Sequence, residues 1–167
     1  LKSYLEGIKV GYYQCIFFRN FSKINLKDNQ GNIQKLEKFK GKYVRLHFWA
    51  TWCGNCIKQF QRESEYEKNT AQDLNIVNVT ICVKDKKENW ENFLKEKSYL
   101  NHYLNFVADK DFNPDLARYF EKEEMINILP VVFYLKIKED GTSDIIHYIE
   151  DRVFEIRRME SYEEYKF

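Results

Sequence analysis

The stretch YVRLHFWATWCGNCIKQF, residues 43–60, limits the folds open to this chain more than any other. Its first eight positions are rich in aromatic and β-branched residues, the composition of a strand entering a core. The segment from Cys53 to about Ala71 is polar and free of proline, and it reads as a helix. Two cysteines, Cys53 and Cys56, fall where the one element passes into the other. A strand that delivers a CxxC pair to a helix start joins a fold constraint to a chemical one.

If the helix begins at Cys53, the unpaired N–H groups and partial positive charge of its first turn face that sulfur. A thiolate there is stabilised, and the thiol pKa falls below the free value of about 8.5. Cys56 lies one turn later on the same face, within bonding reach, so the pair can close and open as a disulfide. Cys53 is then the exposed attacking thiol, and Cys56 the more buried one that resolves a mixed disulfide. Two other uses of such a pair stay open. A zinc half-site would need two further ligands. The chain has no second CxxC and no HxxxH, and Cys15 and Cys82 stand alone on expected strands. An inert core pair sits poorly beside a tryptophan at a strand-to-helix junction.

The rest of the chain supplies a setting for this unit. Residues 11–34 read as short strands, with KDNQGN (27–32) as a turn between two of them. NIVNVTICV (75–83) reads as a second buried strand. Trp90, Phe93 and Leu94 then mark one face of an amphipathic helix. LNFVADK is a short strand or edge. NPDLARYF opens a helix with Asn113 as N-cap and Pro114 at its first position. LPVVFYLKI and SDIIHYIE are two strands joined by KEDGT, whose Asp-Gly is a hairpin signal. A charge-rich helix over residues 151–167 closes the chain. Strand–helix alternation followed by a hairpin gives an α/β protein, a mixed central sheet with helices on both faces.

At 167 residues the simplest organisation is one domain: an extension over 1–20, a core over 21–150 and the final helix. Lys and Arg number 27 against 26 acidic residues, so no nucleic-acid partner or polybasic membrane contact is expected. No apolar run approaches the roughly 18 to 20 residues of a membrane span. The chain begins LKSYLEGIKV, without an initiator Met or a signal-peptide core, and a processed N-terminus would look the same. The charges of QRESEYEKN (61–69) read as a solvated helix face. Cys82 reads as a small buried hydrophobe, with a Cys15–Cys82 bridge as a minor alternative. His102 and His147 fall outside any motif.

GKYVRLHFWATWCGNCIKQF resembles the active-site strand, loop and helix of the thioredoxin superfamily, specifically the TlpA/ResA-like thiol:disulfide oxidoreductases. FSKINLKDNQGNIQKLEKFKGK resembles that family's preceding hairpin and short helix, NIVNVTICVKDKKENWENFLKE its next strand and helix, and LPVVFYLKIKEDGT its cis-proline loop and hairpin. The resemblance spans about residues 20–150 and implies a thioredoxin fold with an N-terminal β-hairpin extension. It implies that Cys53 and Cys56 are the redox pair and that Pro130, after Leu129, is the cis-proline opposite them. Trp52 would form the rim where a partner docks, and Gly54 and Asn55 would tune the thiolate. His47 stands where many thioredoxins carry a buried Asp. It would either exchange a proton with Cys56 or be a hydrogen-bonded core histidine.

The resemblance further implies an extracytoplasmic envelope protein that reduces disulfides in client proteins and is itself re-reduced by a membrane-embedded thiol donor. No metal and no small-molecule cofactor is expected. The pattern departs from the family at Gly54-Asn55, where proline is common, at Met125 in place of a usual glycine, and at Val131 after the proline. A non-catalytic thioredoxin-like interaction module within a larger assembly is the alternative from another class. A peroxidase is a weaker option, because the Thr-x-x-Cys context is absent.

Overall fold

The computed structural model describes residues 18–120 and 129–149. The closing helix, Cys15 and Met125 lie outside the described residues. Seven strands and three α-helices appear among the rest: β1 Leu26–Lys27, β2 Ile33–Gln34, β3 Tyr43–Trp49, α1 Gly54–Asp73, β4 Ile76–Cys82, α2 Lys87–Glu96, β5 Leu104–Val107, α3 Pro114–Phe120, β6 Val131–Ile137 and β7 Ser143–Ile149. β1 and β2 form the hairpin expected around KDNQGN. The other five make one sheet in the order β5-β4-β3-β6-β7. β3, β4 and β5 run parallel, while β6 and β7 are antiparallel additions on the other side of β3. β3 is therefore central, and the chain leaves its end directly into α1.

Side chains alternate across β3, as strand geometry requires. Val44, Leu46 and Phe48 join Val79, Ile81, Phe106, Phe133 and Leu135 in the main apolar core. Arg45, His47 and Trp49 face α1: Arg45 pairs with Glu67, and both His47 and Trp49 lie against the Phe60 ring. One face of the sheet is thus a dry core, and the other is a mixed layer beneath the cysteine helix.

One expectation is corrected, and another holds with its side chain used differently. Residues 18–23 do not extend the strands of the hairpin: Phe18 and Arg19 are helical, and Phe21–Lys23 is a 3-10 turn. Phe18 and Phe21 are both fully buried, their rings 5.7 Å apart. Three-residue spacing brings both to one side of a helical turn, whereas a strand would aim them oppositely. Each buried ring is worth about 1.5 to 3 kcal/mol, enough to select the turn. Asn113 does hold the N-cap position through its backbone, accepting from the Ala117 N–H at 2.8 Å. Its side chain is used elsewhere: Oδ1 accepts from the Lys27 N–H at 2.6 Å, and Nδ2 donates to the carbonyls of Lys27 and Val107. That amide fastens β1 to the sheet edge at β5.

The β6–β7 connection follows its Asp-Gly signal. Gly141, at φ 77°, donates its N–H to the Lys138 carbonyl, and Lys138 donates to Thr142. Only glycine takes that left-handed conformation without cost.

Candidate active site

α1 begins one residue after Cys53, which occupies the N-cap position with extended backbone. The Ala50 carbonyl accepts the Cys53 N–H at 3.0 Å, and the Cys53 carbonyl accepts from Ile57 at 3.1 Å. The Cys53 sulfur takes the place of a capping oxygen and accepts from the Cys56 N–H at 3.2 Å. One of the four open donors of the first turn is therefore spent on that sulfur. Cys53 and Cys56 are joined as a disulfide, with Cα atoms 5.3 Å apart. Cys53 keeps 7% exposure and Cys56 none. The exposed attacking thiol of the sequence reading is thus a sulfur with only a narrow surface, yet the order of accessibility between the two is as expected.

Trp52 stands beside the pair with 62% of its surface exposed, its indole N–H donating to the Lys84 carbonyl at 3.1 Å. Gly54 and Asn55 are also exposed. A methyl group added at Gly54 would meet nothing within 4 Å, so space does not require glycine there. The Leu129–Pro130 bond is cis. Leu129 packs against the cluster that contains Cys53, Cys56, Trp49 and Phe60, which brings the cis-proline loop to the disulfide from a distant part of the chain.

Beneath the pair, His47 is fully buried with its ring 4.3 Å from that of Phe60. Neither ring nitrogen has a hydrogen-bond partner among the described residues. The hydrogen-bonded core histidine of the sequence reading thus finds no partner among the described residues. Burial first, and the nearby Arg45 charge second, hold its pKa well below the ordinary value, so the imidazole is neutral.

Sequence reasoning missed the charges around it. Arg45 is buried and meets Glu67 of α1 at 2.5 Å, and Glu67 is equally enclosed. The Tyr103 hydroxyl donates to the same carboxylate, Arg45 Nε donates to the Tyr134 hydroxyl, and the Asn78 amide donates to the Glu67 carbonyl. Burial, with Glu67 adding to it, pushes the Tyr103 hydroxyl far up and keeps it protonated. Glu67 belongs to the segment read as a solvated face, and it is not solvated. The signal was present at the other end: an arginine inside an otherwise core-like strand demands a buried counter-charge.

Asp85 was missed as well. It accepts from Thr51 through both backbone N–H and hydroxyl. Cys82 is a free, fully buried thiol, its pKa raised by burial and then by Asp85. His102 is half-buried against Tyr103.

The AhpC/TSA family model matches residues 19–138. The chain belongs to the AhpC/TSA family. Among curated relatives it is 31% identical over 105 residues to the thioredoxin-like protein YneN of Bacillus subtilis, covering 53% of this chain and 62% of that one. It is 38% identical over 71 residues to the thiol-disulfide oxidoreductase ResA of the same organism, covering 42% and 38%. The chain thus spans less than two thirds of the length of either relative.

Solved structures with this family member's fold include the thioredoxin domain of a thiol-disulfide oxidoreductase from Bacteroides vulgatus. It has a TM-score of 0.59 and 22% identity, and the match covers 83% of this chain and 91% of that one. A secreted disulfide oxidoreductase of Mycobacterium tuberculosis, homologous to E. coli DsbE, gives 0.52 at 16%, covering 80% and 87%. The fold of this AhpC/TSA member is the thioredoxin fold, with its mixed five-stranded sheet flanked by helices and a preceding hairpin.

Proposed function

We propose that this protein is a thiol:disulfide oxidoreductase that reduces disulfides in client proteins. One observation carries the reading: Cys53 and Cys56 are already bonded at a helix N-terminus, and only Cys53 reaches the surface, beside exposed Trp52. In the reduced protein the Cys53 thiolate attacks a client sulfur, and the client's other sulfur leaves as a thiolate and takes a proton. Cys56 then loses its proton and attacks the Cys53 sulfur, which releases the second client thiol. Two electrons pass to the client, and the protein returns to the Cys53–Cys56 disulfide.

His47 is the proton acceptor for Cys56 in this scheme. A neutral imidazole can accept, and a thiolate forming in the same enclosed layer would favour the imidazolium beside it. Trp52, Gly54 and Asn55 form the exposed docking rim, with Leu129 and Pro130 opposite. Resemblance to the TlpA/ResA-like proteins favours reduction over oxidation, an extracytoplasmic setting, and re-reduction by a membrane-embedded thiol donor. The secreted status of the mycobacterial neighbour agrees with that setting.

Insulin reduction with dithiothreitol as donor tests the proposal. Wild type accelerates precipitation, Cys53→Ser abolishes the effect, and Cys56→Ser accumulates a mixed disulfide with the client. No thiol-dependent turnover in wild type would instead favour a non-catalytic interaction module. His47→Asn separates the proton role: an unchanged rate and pH profile would remove His47 from the mechanism.

A further inference from the structure

The loop that presents Trp52 and Cys53 is a turn closed by its own bond from the Cys53 N–H to the Ala50 carbonyl, and its path is fixed from outside as well. Asp85, just beyond the end of β4, fixes it. Its Oδ2 accepts from the Thr51 backbone N–H at 2.9 Å and from the Thr51 hydroxyl at 2.5 Å. The same oxygen lies 3.8 Å from the Cys82 sulfur. Its Oδ1 accepts from the Lys86 N–H and from the Asn89 side chain of α2, both at 2.9 Å. One carboxylate therefore ties the β3–α1 loop, the end of β4 and the first turns of α2 together. Beside it, the Trp52 indole donates to the Lys84 carbonyl at 3.1 Å, and Lys84 takes an uncommon positive φ of 54°. Lys84 and Asp85 together thus receive three donors from Thr51 and Trp52.

Resting on the oxidoreductase reading above, we propose that Asp85 is a positioning residue for the reactive thiol, acting through Thr51 as a latch that holds Cys53 at the N-cap. The physical argument is geometric. Cys53 is stabilised as a thiolate only while its sulfur sits over the open N–H groups of α1. The chain between β3 and α1 reaches that point through Ala50, Thr51 and Trp52, and two of these three are bonded to the β4 loop. A charge-assisted bond is stronger than one between neutral groups, and a carboxylate receiving four nitrogen or oxygen donors, with the Cys82 thiol as a fifth, has little freedom to move. Burial pushes the Asp85 pKa upward, but the bonds from Thr51, Asn89 and Lys86 outweigh it and hold the carboxyl below its ordinary range. The latch therefore stays ionised at neutral pH.

The test uses reduced protein and the alkylation rate of Cys53 by iodoacetamide, followed on the Cys53 peptide by mass spectrometry, alongside insulin reduction and Trp fluorescence. Thr51→Val keeps the shape and removes the hydroxyl, and it should slow Cys53 alkylation on the order of fivefold. Thr51→Ser should restore the rate, which a role in packing alone would not predict. Asp85→Ala should slow alkylation at least as much as Thr51→Val. The Thr51→Val/Asp85→Ala double variant should be no slower than Asp85→Ala alone, because both changes open one latch.

Rates within about twofold of wild type in Thr51→Val and Asp85→Ala, or fully additive losses in the double variant, would overturn the latch. Normal alkylation differences without insulin turnover in wild type would keep the latch and remove the oxidoreductase reading. The two can therefore fail separately.

Discussion

His47 shows how burial, rather than residue type, sets what a side chain can do. An imidazole in water titrates near 6.5. Here it is fully buried against Phe60, and burial and Arg45 both disfavour its cation. The folded protein therefore resists a proton that the unfolded chain accepts. With the folded pKa below the unfolded one, the contribution to stability is intact above about 6.5 and is lost as the pH falls below it. Between about pH 7.5 and pH 5 this group alone should lower unfolding stability by about 1 to 2 kcal/mol, read from urea midpoints of the oxidised protein. In His47→Asn the slope in that window should fall to what half-buried His102 contributes, whose pKa burial and then Lys68 also lower, while the fall at lower pH remains. There Asp28, Asp85 and Asp109, all held below the ordinary carboxylate range against the opposing pull of burial, begin to protonate. An equal slope in both proteins above about pH 5 would rule His47 out as its source.

At the scale of elements, α1 and β3 are joined by chemistry as well as by packing. Cys56, Phe60 and Glu67 recur at helical spacing along one side of α1, and opposite them stand Trp49, His47 and Arg45 at strand spacing. The upper end of this seam is aromatic, and the lower end is the Arg45–Glu67 pair with Tyr103 and Tyr134 around it. Removing one partner leaves the other charge buried and uncompensated. Glu67→Gln should destabilise the protein by about 3 to 5 kcal/mol, and the joint replacement Arg45→Met with Glu67→Leu should recover most of that loss. Guanidinium unfolding of wild type and of these two variants measures it. A double replacement no more stable than the single would show that the pair is not what the layer depends on.

Over the whole molecule, the site is assembled from segments far apart in the chain. β3 and α1 carry the cysteines, the loop after β4 holds the latch, and the loop before β6 brings Leu129 and Pro130. Phe18, Leu36, Phe48, Ile81, Phe106, Leu116 and Phe133 share one buried cluster, so the start, middle and end of the described chain depend on a common core. Such a domain should unfold in one cooperative step. Far-UV circular dichroism and Trp fluorescence, which samples Trp49, Trp52 and Trp90, should give coincident urea transitions. Separate midpoints would mean that the N-terminal hairpin and the sheet unfold as independent units.

Local chemistry made the cysteine unit legible in the sequence. A buried-strand composition, a helix-compatible segment and CxxC spacing are properties of neighbouring residues, and β3, α1, the 27–32 turn and the Asp-Gly hairpin follow from them. Resemblance added the cis bond at Leu129–Pro130, which the structure bears out. The pairing of distant polar groups was not legible. Sequence showed an arginine in a core strand but not that Glu67, among many acids, would be buried to meet it. It gave no sign that Asp85 would lie against Thr51, and it offered Asn113 as a cap, which the backbone fulfils, without showing that the side-chain amide reaches Lys27. The reason is physical. Propensity and periodicity act over one or two turns of chain, whereas a buried donor is satisfied by whatever acceptor the completed fold brings within about 3 Å. The chain by itself determined where a disulfide could form, and the tertiary structure decided what surrounds it.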